Sequence, residues 1–295
     1  MPNLTCCITF DVDGMSSWIG TGRSNNPSAI SRGEFTAVAT PRVLALLAKY
    51  GIAASFCVPG HTACAYPGLV RDIRDQHHEI VHHGWVHENP AALDADGERA
   101  VLQRGFEALE RAAGVRPIGY RSPAWDFSPR TIDLLIEAGF TYDSSLMGND
   151  FAPYYARSGD RWSTDAPYQF GGVTDLVELP VTWGLDDFPA FEFSPRFSEG
   201  YRAPSAIEEI WRGDFDYALQ HSDGGIFNLT LHPEVIGRGH RITMLERLLD
   251  YMRAQLGVRF STMGDFATQW KERMPRDRWI ALHADLAGTH AIRSL

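Results

Sequence analysis

Apolar runs of strand length alternate with stretches of helical period along most of this 295-residue chain, at residues 4–10, 53–58, 79–81, 118–121, 140–143, 176–181, 225–231 and 258–261. The connections between them are too long for hairpins, which is the pattern of parallel βα units wrapped around one core. Thr40-Pro41 reads as the N-cap and first residue of a helix with Val43, Leu44, Leu46, Leu47 and Tyr50 on its apolar face and Gly51 as its stop. Further helices are expected over 67–76, 94–113, 206–220, 242–256 and 265–273, with another opened by Ser128-Pro129 and stopped by Gly139. Residues 15–34, rich in Ser, Gly and Asn, read as a loop able to overhang the first strand. Residues 148–175 read as a second, aromatic loop, and a structureless stretch that long inside a compact domain is usually functional. Neither linker nor internal repeat divides the chain. The expectation is one α/β domain over residues 1–295, of a length that suits a single barrel.

The residues able to do chemistry stand where such strands end. Asp11 and Asp13 end the first run, His83 and His87 follow the third, Arg121 ends the fourth and His232 the seventh. Barrels of βα units keep their active sites at that rim. His83 and His87 belong to a stretch, His77 to His87, that holds five of the chain's 11 histidines. On one helical turn their i, i+4 spacing would set both rings on one face, close enough to share a metal. Gly84 stands where a zincin would carry its glutamate, so a base must come from elsewhere. Two neutral imidazoles and one carboxylate leave a coordination position open, as catalytic zinc sites do. That donor set suits zinc, or cobalt or nickel, better than magnesium or calcium. The second carboxylate is then free to take a proton from water, an arginine beside it would keep it ionised, and a histidine opposite could protonate a leaving amine. Such a set describes hydrolysis of an amide.

Composition narrows the partners. A formal net charge of −10 argues against nucleic acid or an anionic membrane surface. No apolar run approaches the length of a membrane span, and the first residues carry neither a basic nor an apolar leader region. The four cysteines fall early and form no CxxC, as suits reduced, buried residues. A cytoplasmic, acidic, soluble protein of enzyme size is the expectation.

Four segments carry a family resemblance: Thr9-Phe10-Asp11-Val12-Asp13-Gly14, His78 through His87, Arg121-Ser122-Pro123, and Leu229-Thr230-Leu231-His232. Over nearly its whole length the chain resembles polysaccharide deacetylases of the NodB-homology class, carbohydrate esterase family 4. The resemblance implies a distorted (β/α) barrel of about seven parallel strands. It implies Asp11 as base, Asp13, His83 and His87 as ligands of a zinc ion, Arg121 as the holder of the base, and His232 as the acid. Asp-Val-Asp departs from the family's Asp-Asp, leaving the division of roles between Asp11 and Asp13 open. Gly84 removes a hydroxyl that the family carries. The fourth motif, an Asp and a Trp, has no clean match, and Asp143, Glu178, Trp183, Asp186 and Asp187 are candidates.

Asp-Val-Asp, residues 142–147 and Asp186-Asp187 are more similar to an intracellular branch of that class. The branch includes Helicobacter-type peptidoglycan deacetylases, cyclic imidases and a metal-independent allantoinase. Its members assemble as homotetramers, so an oligomer is implied. Two enzymatic readings follow, N-deacetylation of an N-acetylated sugar or ring opening of a small cyclic amide; a non-catalytic sugar-binding barrel is the reading of another class. Trp85, Trp125, Trp183, Asp186 and Asp187 are the candidate substrate-pocket residues. Trp85 reads first as a packed aromatic, and His82, facing away from His83, as structural.

Overall fold

The computed structural model describes residues 4–193 and 200–289. Nine strands form one curled sheet: β1 (Leu4–Asp11), β2 (Ser55–Val58), β3 (Glu79–His82), β4 (Gly119–Tyr120), β5 (Tyr142–Asp143), β6 (Tyr154–Ser158), β7 (Gly172–Glu178), β8 (Gly225–Leu231) and β9 (Val258–Phe260). Their order is β6-β7-β5-β4-β3-β2-β1-β8, with β9 also on β1. Every pairing is parallel except β6 with β7. One edge of β1 takes β8 along Leu4 to Phe10; β9 and β2 pair with its first and last residues, respectively.

Beyond β7 the curl closes on β8 through other contacts. Asn228 donates to the carbonyls of Leu179 at 3.4 Å and Pro180 at 3.1 Å, and Asp186 bridges Thr230. The result is the distorted (β/α) barrel, partly closed, with a mixed sheet. Helices cover its outer face, so β1 and β8 are buried along their whole length, which is why both read as continuous apolar runs.

The larger core lies between β1, β2 and β8 and the helices Thr36–Tyr50, Pro204–His221 and Gly239–Arg253. Phe10 stacks on Phe56 with centroids 5.0 Å apart, and Phe227 packs against Phe215 at 5.6 Å. Burying each such side chain contributes about 1.5–3 kcal/mol. Among the described residues no helix is long and apolar enough to cross a membrane.

Three expectations give way here. Residues 148–175 are not structureless: β6 turns back onto β7 as the antiparallel edge of the sheet. Only three residues of each strand are buried, which leaves the hairpin's outer half without apolar alternation. Residues 15–34 hold two helices, Ser16–Ile19 and Pro27–Glu34, the second capped by Asn26, whose side chain accepts from Ser28 N. The next helix runs from Thr36 through Pro41. Thr36 rather than Thr40 anchors its start, because its hydroxyl is fixed at 2.8 Å by the buried carboxylate of Glu234.

Candidate active site

The carboxylates come first. Asp11 is the last residue of β1, in register with Cys57 of β2, and its Oδ1 accepts from Arg121 Nη1 at 2.8 Å. Arg121 is wholly buried, and its remaining donors go to Thr9 Oγ1, Ser144 O, Ser144 Oγ and Met263 Sδ. Burial alone would raise the pKa of Asp11, but Arg121, His83 and His232 outweigh it and hold the carboxyl below its ordinary value. Asp13 sits two residues on, in a turn pinned from both sides: its carbonyl accepts from Thr62 Oγ1 and Gly14 N donates to Glu234. Glu234 is a carboxyl that sequence reasoning missed. It is buried behind that turn, and burial and then Asp13 push its pKa up to about 8.

The two histidines meet by a route other than the one expected. Residues 83–87 form no helical turn. The chain reverses at Gly84, with φ of +69°, and again at His87, with φ of +59°. Glu88 closes the loop by accepting from the N–H groups of Trp85 at 2.9 Å and Val86 at 2.6 Å. The rings of His83 and His87 end 5.1 Å apart.

Each ring is held by its far nitrogen. His83 Nδ1 donates to the Arg121 carbonyl at 2.7 Å, so in the neutral ring Nε2 carries a lone pair. His87 Nδ1 lies 2.7 Å from Thr21 Oγ1. Both Nε2 atoms face Asp13, His83 at 3.3 Å from Oδ1 and His87 at 3.3 Å from Oδ2. A tetrahedral ion with bonds of about 2.0–2.1 Å keeps its ligands roughly 3.3 Å apart. Asp13 Oδ1 and His83 Nε2 are buried with no hydrogen-bond partner, two electron-pair donors facing each other. A cation between them resolves that arrangement. Burial works against a charged ring at His83, yet Asp11 and Asp13 outweigh it and raise its pKa; at His87 burial prevails over Asp13 and lowers it.

A second cluster, Asp186, Asp187 and His232, also brings metal-ligand atoms within 4.8 Å of one another. It is already knit by hydrogen bonds. His232 Nδ1 lies 2.7 Å from Asp187 Oδ1, the backbone N–H of His232 reaches the same carboxylate at 3.0 Å, and Asp186 Oδ1 accepts from Phe188 N at 2.8 Å. We read it as a carboxylate–imidazole pair. His232 Nε2 points instead toward Asp13, 3.9 Å from Oδ2. Burial lowers the pKa of His232, but the bond to Asp187 and the charges of Asp186, Asp187 and Asp13 carry it well above the ordinary value. Asp186 is pushed up to about 7, first by burial.

A cavity of about 520 Å³ opens over these groups. Asp11, Asp13, His87 and His232 line it together with Trp125, Trp183 and Asp186. The two indoles pack against each other at a tilt of 38° with centroids 4.2 Å apart, and Trp125 and the preceding Ala124 both have positive φ, 56° and 50°. Trp85 lies off the lining, under the Arg104 guanidinium at 4.1 Å and edge-on to His61. His82 is buried among Phe106, Tyr120 and Phe140, with Nε2 3.0 Å from Leu102 O. Ser17, Thr21, Phe188 and Pro189 also line the cavity, and no local spacing in the sequence marks them.

A family model described as polysaccharide deacetylase matches residues 7–142. Over 283 residues the chain is 38% identical to a peptidoglycan deacetylase of Helicobacter pylori, covering 91% of this chain and 96% of the relative. The chain belongs to the polysaccharide deacetylase family. This deacetylase-family chain is also 31% identical to a peptidoglycan deacetylase-like protein of Gibberella zeae, over 83% of this chain and 80% of that one. The crystal structure of a putative polysaccharide deacetylase from Mycobacterium smegmatis superposes with a TM-score of 0.82 at 34% identity, covering 92% and 91% of the two chains. Membership of the polysaccharide deacetylases and the buried His/Asp clusters together support a metal-dependent hydrolase of amide bonds.

Proposed function

We propose that the protein is a zinc-dependent N-deacetylase acting on an N-acetylated amino sugar, free or as a unit of peptidoglycan. The observation that carries this reading is the placement of an Arg-held carboxylate and an Asp-held imidazole around one three-donor cluster. The sugar is suggested by the Helicobacter pylori relative. Asp13, His83 and His87 would hold the ion. Bound there, a zinc ion supplies a Lewis acid that polarises the amide carbonyl and acidifies water.

The chain's own groups divide the proton work. Asp11, with Oδ1 tied to Arg121, turns Oδ2 to the side of His83, 3.8 Å from Nε2, to take a proton from the attacking water. His232, protonated and held through Nδ1 by Asp187, delivers a proton from Nε2 to the amide nitrogen as the C–N bond breaks. The products are acetate and a free amine. Trp125 and Trp183 offer apolar faces against which a sugar ring can lie.

A second reading rests on the cavity. Its size, and the paired indoles at its wall, suit a compact ring such as a cyclic imide or hydantoin. The same base and acid would then open the ring. Cytoplasmic location and a homotetrameric assembly belong to this proposal as well. One panel separates the readings: N-acetylated sugars and cyclic imides, each assayed with and without added zinc. Acetate release from the sugars supports the first reading and imide consumption the second. Tight binding of a sugar with no turnover of any amide would leave a non-catalytic sugar-binding barrel.

A further inference from the structure

Two more carboxyl groups lie buried beside the site, and the hydrolytic chemistry does not use them. Asp143 of β5 and Glu178 of β7 are register partners across the sheet, and both are fully buried. Asp143 Oδ1 accepts from Ser145 Oγ at 2.8 Å. Glu178 Oε1 accepts from the N–H groups of Ser145 and Leu146, each at 2.9 Å. The other two oxygens, Asp143 Oδ2 and Glu178 Oε2, find no donor elsewhere among the described residues, and the two carboxyl groups interact with each other. Two buried acceptors facing one another need a proton between them.

The segment that the pair fastens is the one that aims Arg121. Ser144 O accepts from Arg121 Nε at 3.1 Å and Ser144 Oγ from Nη2 at 2.9 Å. Ser145 Oγ accepts from Ser122 N, next to the arginine, at 2.8 Å. We propose that Asp143 and Glu178 form a one-proton carboxyl pair that positions Arg121, and through Arg121 the carboxylate of Asp11. Only the last link rests on the hydrolase reading.

The surroundings keep that proton in place. Tyr120 and Arg121 face the pair from the β4 side and Tyr154 from β6. Burial pushes both phenols far above their ordinary range, so they stay neutral, and Arg121 is committed to Asp11. Burial, and then the charge of Asp143, puts Glu178 well above the usual carboxylate range, while Asp143, raised to about 6 chiefly by burial, is the readier of the two to ionise. Glu178 therefore holds the proton and Asp143 accepts it. In the unfolded chain both groups ionise near pH 4. The folded state thus binds the extra proton, and the stability linked to it is complete below about pH 4 and is lost as pH rises toward the raised value of Glu178.

The test uses the full chain as wild type, Glu178→Gln, Glu178→Ala, Asp143→Asn and the double amide. Melting temperature is followed from pH 5 to 9, with metal content and acetate release from an N-acetylglucosamine oligomer. Glutamine supplies the missing N–H without a titration, so the melting temperature of Glu178→Gln relative to wild type should climb with pH. A difference that stays flat overturns the shared proton. Glu178→Ala should lose roughly 10²-fold in kcat, the cost of a slight misplacement, with KM and metal unchanged. Either single amide should instead keep most of the wild-type kcat. The double amide sets two NH₂ groups face to face and should be as impaired as alanine; a double variant as active and stable as the singles overturns the pair. If wild type releases no acetate, the deacetylase reading fails, and the melting series still decides the pair.

Discussion

Asp187 binds His232 twice, through the ring Nδ1 at 2.7 Å and through the backbone N–H at 3.0 Å, so one carboxylate fixes both the position and the tautomer of the imidazole. Neighbouring Asp186 binds Phe188 N instead and faces the cavity. Asp187→Asn should keep the fold and lower kcat by about 10²–10⁴-fold, because the imidazolium loses its stabilising charge. The pH profile gives the sign. Asp187 helps to raise the pKa of His232 against burial, so without its charge the alkaline limb of kcat/KM should move to lower pH. An unmoved limb would mean that Asp187 serves the backbone alone.

His232→Ala should cost about 10²–10⁴-fold in kcat on an amide, the usual worth of a positioned acid. An activated ester, whose leaving group needs no proton, should suffer much less. Metal content should not change, since His232 Nδ1 is engaged by Asp187 and Nε2 stands 3.9 Å from the nearest Asp13 oxygen. Equal losses on amide and ester would remove the acid role.

The two aspartates of Asp-Val-Asp should separate cleanly. Asp13 presents one oxygen to each histidine, whereas Asp11 is tied to Arg121. Protein purified without chelator should contain one divalent ion per chain by elemental analysis. Asp13→Asn should lose it, and Asp11→Asn should retain it while turnover disappears. Removing the ion should also lower the melting temperature, as a ligand at 1,000 times its Kd stabilises by about 4 kcal/mol. The reverse pattern of retention would exchange the two roles, and a fully active metal-free protein would exclude the zinc mechanism.

Gly84→Ser is a change toward the family's hydroxyl, and it should not be benign. Gly84 has φ of +69°, and a Cβ there would lie 2.9 Å from Glu88 Oε1 and 3.1 Å from Pro123 Cγ. The left-handed backbone alone costs a side chain about 1–3 kcal/mol. Displacing Glu88 would also release the loop that carries His87. A lowered melting temperature together with weakened zinc affinity is the expected pair of results.

Much of this was legible in the sequence because strand ends are legible. A buried strand is a run of apolar residues, and polar residues at its end fall at the rim, as Asp11, His83, Arg121 and His232 do. The route between His83 and His87 was not. The i, i+4 spacing fits a helical turn equally well, and what decides against it is Glu88 closing a loop around left-handed Gly84. Likewise Asp186 and Asp187 are indistinguishable as a dipeptide; only the approach of β8 shows which one meets His232. The β6–β7 hairpin escaped because its pairing is set by cross-strand contacts, with half of β7 facing outward.

The pairing of β1 with β8 has a consequence for how the molecule is made. Phe10 lies against Leu231 in that register, so the residues before Asp11 and His232 become neighbours only after β8 has been made. At about 5–20 residues per second, a ribosome needs roughly 10–45 s to travel between them. Throughout that interval the first strand, which ends up buried on both faces, lacks the strand that will cover one of its edges. Closing so distant a contact is slow for entropic reasons. Assembly of the catalytic rim therefore waits until β8 has been made.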